Sequence, residues 1–494
     1  MLTIGDDIIL VKKKLPLLLA FLGGFASLEL EILGTRLISP VYGSTIYVWT
    51  SLITITLLGL SLGYYFGGNL IDKNKINLKK LGLVILFTGI YLIFLPSFSR
   101  YVIKSLFFYF DVISGHLIIS FLILFLPMVF LGTIFPSCVK LDTEKIEEVG
   151  RKAGKISVLS TIGGLTGSLL TGYYLILNVG ITTTCLATGT IFILISFLIY
   201  FRKRFLIFML LPLLLYFFAP SLPQGLAYYG SGYYSEIRVL DSGGARILFL
   251  DNMINTAKVD YPTYVNFFEA PFYFRNISSV LMIGLGGGEG VKFLDNNFNV
   301  SIDVVEIDPK VIEVAQGYFE FDPEKFDIAI DDGRHYLLTT DKKYDLIISD
   351  IAMVDWVPYL YTLEFYEIVK DHLNQDGIFL NHVLAIKSGA NSNLAQIVYS
   401  DLNSIFNDIL VLKDPHGRDD SFNTIFYLAS DKKMVVDMGL DGGRPVEEAL
   451  INSFRYGEFG LKNTDDFAPG ERFSLNDIRN IHLKAMAEQL KQTI

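Results

Sequence analysis

The chain has 494 residues, two cysteines, six histidines and a formal net charge of −10. That length holds two or three domains, both cysteines (Cys138 and Cys185) fall in apolar segments and leave no disulfide framework in the second half, and the scattered histidines offer no ligand spacing for a metal. Residues 1–220 carry 18 Lys and Arg against 10 Asp and Glu, whereas the remainder carries 23 against 41; the acidic part argues against a nucleic-acid partner and suits a cationic small molecule, although a merely solvated surface fits the charge equally well.

Apolar runs near the roughly 17–25 residues needed to cross a bilayer predict spans at 15–38, 45–70, 79–97, 116–139, 156–177 and 180–201. A shorter seventh run, 205–220, is broken by Pro212. If it crosses, the following domain faces outward; if it re-enters or lies in the interface, that domain stays on the N-terminal side. Basic residues cluster in alternate connections: Lys12–Lys14; Lys73, Lys75, Lys79 and Lys80; Lys140, Lys145, Arg151, Lys152 and Lys155; Arg202–Arg204. By the positive-inside rule this multi-pass unit of the cell membrane has its N-terminus in the cytoplasm.

Inside the first span stand Glu29, Glu31 and Arg36. Such groups cost roughly 2.5–3.5 kcal/mol each unless paired or hydrated, so they are candidate functional residues; the alternative is a structural ion pair with Arg36 reaching the outer interface. Gly163, Gly164, Gly167 and Gly172 recur near four-residue spacing, which points to close helix packing.

The second half opens on a small β-rich lead-in (228–262), with strands expected at Glu236–Val239, Ala245–Leu250 and Met253–Val259. A Rossmann-like α/β domain of the methyltransferase type follows (263–435), then a polar, partly helical extension (436–494). Val280–Ile283 runs into a glycine cluster, Gly284–Gly290, and a second apolar run ends in Glu306. In a doubly wound sheet this places a tight turn after the first strand and a carboxylate at the tip of the second, where it can hold a ribose diol. Strands at Phe326–Ile330 and Tyr344–Ser349 end in Asp331–Asp332–Gly333 and Asp350; Ile378–Val383 and Thr424–Ala429 supply later ones. Acids at Glu289, Glu306, Asp332 and Asp350 therefore line one edge of a mainly parallel sheet. Any one of them alone reads as a helix cap or turn residue; four at consecutive strand ends read as a site.

In this order the motifs resemble the spermidine synthase (polyamine aminopropyltransferase) family, in the version fused to a multi-pass membrane domain. The membrane unit contributes the first span with Arg36, Leu126–Pro136 and Ser160–Gly167. The soluble half contributes Leu250–Thr256, Tyr264, Gly286–Gly290, Val305–Asp308, Asp331–Gly333, Asp350 with Pro358–Tyr366, and Thr464–Pro469. The resemblance implies transfer of an aminopropyl group from decarboxylated S-adenosylmethionine, as co-substrate, to a diamine such as putrescine. The products would be spermidine and methylthioadenosine, with no metal and no permanently bound cofactor. It implies Asp350 as proton acceptor. Asn255, Gly286, Gly288, Glu306, Asp332 and Gly333 would hold the nucleoside, and Tyr264, Glu289 and Asp350 the amines. The partners are then the bilayer and a small amine, with a homodimer as the candidate assembly. A cytosolic co-substrate would place the catalytic domain in the cytoplasm.

Glu289 favours this reading over methyl transfer, since S-adenosylmethionine keeps a carboxylate that a glutamate would repel. At ~4 Å and an effective dielectric near 20 the difference is several kcal/mol before screening. Departures fall on the diamine side: Met353 where the family has a second Asp (Asp355 is offset by two), Asn255 for a Gln, and Tyr264–Val265 for a Tyr–His pair. The rival readings are a methyltransferase and a non-catalytic polyamine transporter or sensor working through Glu29 and Glu31.

Overall fold

The computed structural model describes residues 4–42, 46–72, 78–106, 109–110, 112–200, 225–251, 253–259, 264–351, 357–389, 392–414, 419, 422–435, 444–457 and 459–465. The run 205–220, Met353, Asp355 and Asp466 lie outside them. The chain divides into two compact units, Met1–Leu222 and Pro223–Ile494.

The first unit is helical: α1 (Ile4–Tyr42), α2 (Ile46–Asp72), α3 (Leu78–Leu106), α4 (Val112–Asp142), α5 (Val149–Leu170) and α6 (Ile181–Tyr200). Among the described residues five helices are long and apolar enough to cross a membrane: Lys14–Ser39, Ile46–Leu70, Leu78–Ile103, Ser114–Asp142 and Ile181–Ile199. The span expected at 156–177 is helical but is not one of the five. Gly, Ser and Thr dilute α5, and a π-helical turn, Thr171–Leu175, interrupts it. A Cβ at Gly163 or Gly167 would strike the α1 carbonyls of Phe21 and Phe25, so the two backbones touch where side chains are missing. Glu29, 1% exposed, accepts a 2.8 Å hydrogen bond from Thr188 of α6. Glu31 and Arg36 are half-buried.

The second unit opens with an antiparallel sheet in the order β1 (Leu226–Ser231), β2 (Glu236–Ser242), β3 (Ala245–Leu250), β4 (Met253–Lys258). Its main sheet has seven strands: β5 (Ser279–Ile283), β6 (Ser301–Glu306), β7 (Asp327–Ile330), β8 (Tyr344–Ser349), β9 (Leu373–Ile386), β10 (Asp408–Lys413) and β11 (Phe422–Ser430). Their spatial order is β10-β11-β9-β8-β5-β6-β7, and only β11 runs antiparallel to its neighbours. The central strands are apolar throughout because helices cover both faces; Val280, Leu281, Met282 and Ile283 are all buried.

Helix α7 (Glu289–Asn297) follows β5, and α8 (Pro309–Phe319) follows β6. Asp308 caps α8 by accepting from Lys310 N at 2.9 Å, and Pro309 stands at the first helical position, where its missing N–H costs nothing. Val311, Val314 and Phe319 of α8 pack on Ile237, Val239 and Leu248 of the small sheet. That packing brings the end of β4 over the glycine turn. Helices α9 (Gly333–Thr339), α10 (Leu363–Asp371), α11 (Asn393–Ile405) and α12 (Pro445–Ile451) complete the unit. Strands β1 and β10 were not foreseen from the sequence.

Candidate active site

Strands β5 and β8 are parallel neighbours, and the chain leaves β5 towards β6 on one side and β8 towards β9 on the other. The cleft at their C-terminal ends is the topological switch point, where doubly wound sheets bind ligands. Its two walls are built differently.

On the side of the glycine turn the work falls to backbone. Gly286 and Gly288 have φ of +54° and +80°, a region that side chains strain to enter. A Cβ on Gly286 would also collide with the Asn255 carboxamide and lie 2.8 Å from Thr256 Oγ1. Thr256 accepts a 2.9 Å bond from Gly287 N and donates one of 2.9 Å to Asn255 Oδ1. Glu306, 7% exposed, accepts from Leu285 N at 2.9 Å and from Asp308 N at 3.0 Å. Burial pushes its carboxyl above the usual range, against these backbone donors. A carboxylate offers about four acceptor positions, so these two bonds leave room for a diol.

Asp332 caps α9: its Oδ1 accepts from Arg334 N at 2.9 Å and His335 N at 3.0 Å, and its Oδ2 accepts from Tyr359 OH at 2.9 Å. Gly333 is buried in the first turn of that helix. Glu289 opens α7 and is paired with Lys292, Nζ to Oε1 2.6 Å. That partner already offsets much of the charge which, read from the sequence alone, would repel a substrate carboxylate.

On the other wall side chains do the work. Asp350 follows β8 with its side chain 13% exposed. Its Oδ2 accepts from Tyr264 OH at 3.1 Å, and its Oδ1 lies 2.7 Å from Nδ1 of His382. Tyr264 opens a 3-10 helix, Tyr264–Tyr273; burial, then the Asp350 charge, hold its phenol well above the ordinary value, so it stays a donor. His382 sits on β9 between the rings of Tyr264 and Phe426, with centroids 4.9 and 4.8 Å away.

The structure thus brings Tyr264 and Asp350 into contact, and Asn255, Gly286 and Glu306 around one turn. His382, Thr256, Tyr359 and Lys292 escaped the sequence reading. A signal existed for one of them, Lys292, which stands three residues after Glu289; His382 is set beside Asp350 only by the pairing of Asn381 with Ser349.

Fold and cleft together define a Rossmann-like domain of the methyltransferase type, with a glycine turn on one side of the cleft and an acidic cluster on the other. Residues 268–397 match the family described as spermine/spermidine synthase domain. A polyamine aminopropyltransferase of Methanocaldococcus jannaschii is 36% identical over 157 residues, 30% of this chain and 54% of the relative. One from Buchnera aphidicola is 30% identical over 181 residues, 33% and 60% of the two chains. The chain therefore spans little more than half the length of these relatives. Spermidine synthase of Thermotoga maritima superposes over 48% of this chain and 86% of its own, with 21% identity and a TM-score of 0.39.

Proposed function

We propose that the second unit is a polyamine aminopropyltransferase that uses decarboxylated S-adenosylmethionine and an amine acceptor of the putrescine type, giving spermidine and methylthioadenosine. The observation that carries this is the ionisable cluster at the end of β8, Asp350 with Tyr264 and His382, facing a glycine turn pinned by Glu306. An alkylammonium is held by the carboxylate and must lose a proton before it can attack. The freed amine then displaces at the methylene carbon bound to the sulfonium: a C–N bond forms, the C–S bond breaks, and its electron pair neutralises the sulfur. The proton passes to the Asp350–His382 pair. Positioning and the acidic wall supply the rate.

The Glu289–Lys292 pair is the observation that favours a second reading, methyl transfer from S-adenosylmethionine. One assay separates the two. Full-length protein in detergent is given each co-substrate with a panel of amines, and products are weighed by mass spectrometry. Methylthioadenosine released only when an amine is present establishes aminopropyl transfer and names the acceptor. S-adenosylhomocysteine in its place establishes the rival. We propose further that the first unit is embedded in the cell membrane with its N-terminus cytoplasmic, on the strength of its basic connections, and that the catalytic unit shares that side. Protease accessibility in oriented vesicles tests both statements.

A further inference from the structure

Glu289 is the first residue after the glycine turn, directly behind Gly288 with its φ of +80°. Its Oε1 accepts from Lys292 Nζ at 2.6 Å, while Oε2 takes no hydrogen bond among the described residues. An ammonium has three N–H donors. Lys292 spends one on Glu289 and a second on the Phe319 carbonyl at the end of α8, also at 2.6 Å, which leaves one. Both side chains are 22% exposed, so the pair is open to a ligand and not sealed in the core. Its place beside the cleft is fixed from two directions. The Glu289 charge acts on the Tyr264 phenol, which donates to Asp350. The Phe319 ring lies against the turn itself, where a Cβ on Gly287 would come within 3.1 Å of it.

A spare carboxylate oxygen and a spare ammonium N–H on neighbouring groups match the two ends of an α-amino acid, its ammonium on Glu289 Oε2 and its carboxylate on Lys292. The tail of decarboxylated S-adenosylmethionine offers only the ammonium, whereas that of S-adenosylmethionine offers both. We propose that Lys292 is a specificity-determining residue that lets this cleft bind S-adenosylmethionine beside the decarboxylated co-substrate, making the former a competitive inhibitor of aminopropyl transfer; this rests on the aminopropyltransferase reading. Glu289 alone would turn the carboxylate away by like-charge repulsion. With Lys292 in place the pair is neutral overall and accepts either tail. No bond of S-adenosylmethionine breaks in this role.

An ordinary pair at this spacing on a helix surface is solvated and free to swing. Lys310 and Glu313 of α8 show that case, with side chains 38% and 63% exposed. Lys292 differs because its second bond, to Phe319 O, holds Nζ in place, so the remaining N–H is presented already oriented. The carboxylate that follows Phe319 does not compete for it: Glu320 is paired with Lys258 of β4 at 2.7 Å.

The test titrates full-length protein in detergent, by calorimetry, with decarboxylated S-adenosylmethionine, S-adenosylmethionine and methylthioadenosine. The last lacks the amino-acid tail and reports on the nucleoside end alone. Wild type is compared with Lys292→Met, which keeps the apolar stem, and Lys292→Arg, which restores the charge. Wild type should bind the two co-substrates within about tenfold of each other. In a methylthioadenosine-release assay, S-adenosylmethionine should raise the KM for the decarboxylated form without lowering kcat. Lys292→Met should lose about 10–100-fold in affinity for S-adenosylmethionine, as expected for a hydrogen bond between charged groups. It should keep its affinity for the other two ligands and escape the inhibition, and Lys292→Arg should regain most of what was lost. A Lys292→Met variant with the wild-type ratio of the two affinities would overturn the role of the lysine. Binding of S-adenosylmethionine to wild type about a hundredfold or more below that of the decarboxylated form would overturn the shared site. Parallel loss of all three ligands in Lys292→Met would make the lysine a prop of the glycine turn. Wild type that binds both co-substrates but releases no methylthioadenosine with any amine would overturn the aminopropyltransferase reading and the inhibition with it, while the ratio of affinities would still decide what Lys292 selects.

Discussion

The two walls of the cleft were put together by different means. The wall proposed above for the nucleoside is one local turn, Gly284–Gly288, tied by amide donors to Glu306 and Thr256. The wall proposed for the amine gathers side chains from three distant segments: Tyr264, Asp350 and His382 lie 86 and 32 residues apart along the chain. A wall made of backbone depends on conformation and tolerates many side chains around it. A wall made of side chains depends on their identity and tolerates almost none.

The harshest way to break this contrast is Asp350→Asn. It should lower turnover by about 10²–10⁴-fold while leaving nucleoside affinity within a few fold, as measured by calorimetry. Parallel loss of both would mean that Asp350 holds the fold of the cleft together. Tyr264→Phe removes one donor to the same carboxylate. A hydrogen bond to a charged group contributes about 1.5–3 kcal/mol, so a rate loss of roughly 10–100-fold is expected, again without change on the nucleoside side.

Gly286→Ala works in the opposite sense. Holding alanine in a left-handed conformation costs about 1–2 kcal/mol before the collision with Asn255 is counted. Affinity for methylthioadenosine should therefore fall by about tenfold or more. With saturating co-substrate, the dependence of rate on amine concentration should stay where it was. A variant that shifted the amine KM alone would show that the two walls are not separable.

The same difference explains what the sequence could disclose. Glycine types, an apolar run and an acid some twenty residues on are local signals, so the turn and Glu306 were legible. So were β5, β6 and β8, which are apolar end to end. Asp350 was legible as a strand-end acid, whereas its role and Tyr264 came by resemblance, and nothing in their separation says that they touch. His382 stands in Phe379–Leu–Asn–His–Val383, which reads as a buried strand; its partner emerges only from the pairing of Asn381 with Ser349. Asp332 shows the reverse limit. Its place at a strand end suggested a ligand contact, yet its oxygens are engaged in capping α9 and meeting Tyr359.

A last prediction extends the contrast to the segment that braces the nucleoside wall from behind. Asp465 forms a two-pronged pair with Arg334, at 2.7 and 2.6 Å, and accepts from Thr362 at 2.9 Å; Arg334 also reaches the Tyr359 carbonyl at 3.2 Å. Two residues earlier, Asn463 N donates to Asp401 at 3.1 Å. Asp401 is fully buried on α11, and burial pushes its carboxyl up from 3.8 to about 7. The folded chain therefore binds a proton that the unfolded chain has already lost between those two values. This group's contribution to stability is complete below about pH 4 and declines by about 1.4 kcal/mol per pH unit until Asp401 ionises near 7. Asp401→Asn keeps an acceptor for Asn463 and abolishes the titration. The variant should match wild type in thermal unfolding at acid pH and exceed it at pH 8, and amide exchange at 463–465 should slow relative to wild type only on the alkaline side. An unchanged difference across the pH range would mean that Asp401 is ionised throughout, held by a cation. If the brace loosens as predicted, nucleoside affinity weakens with it above neutral pH while the Asp350 wall keeps its geometry, because no bond of that wall passes through Asp401.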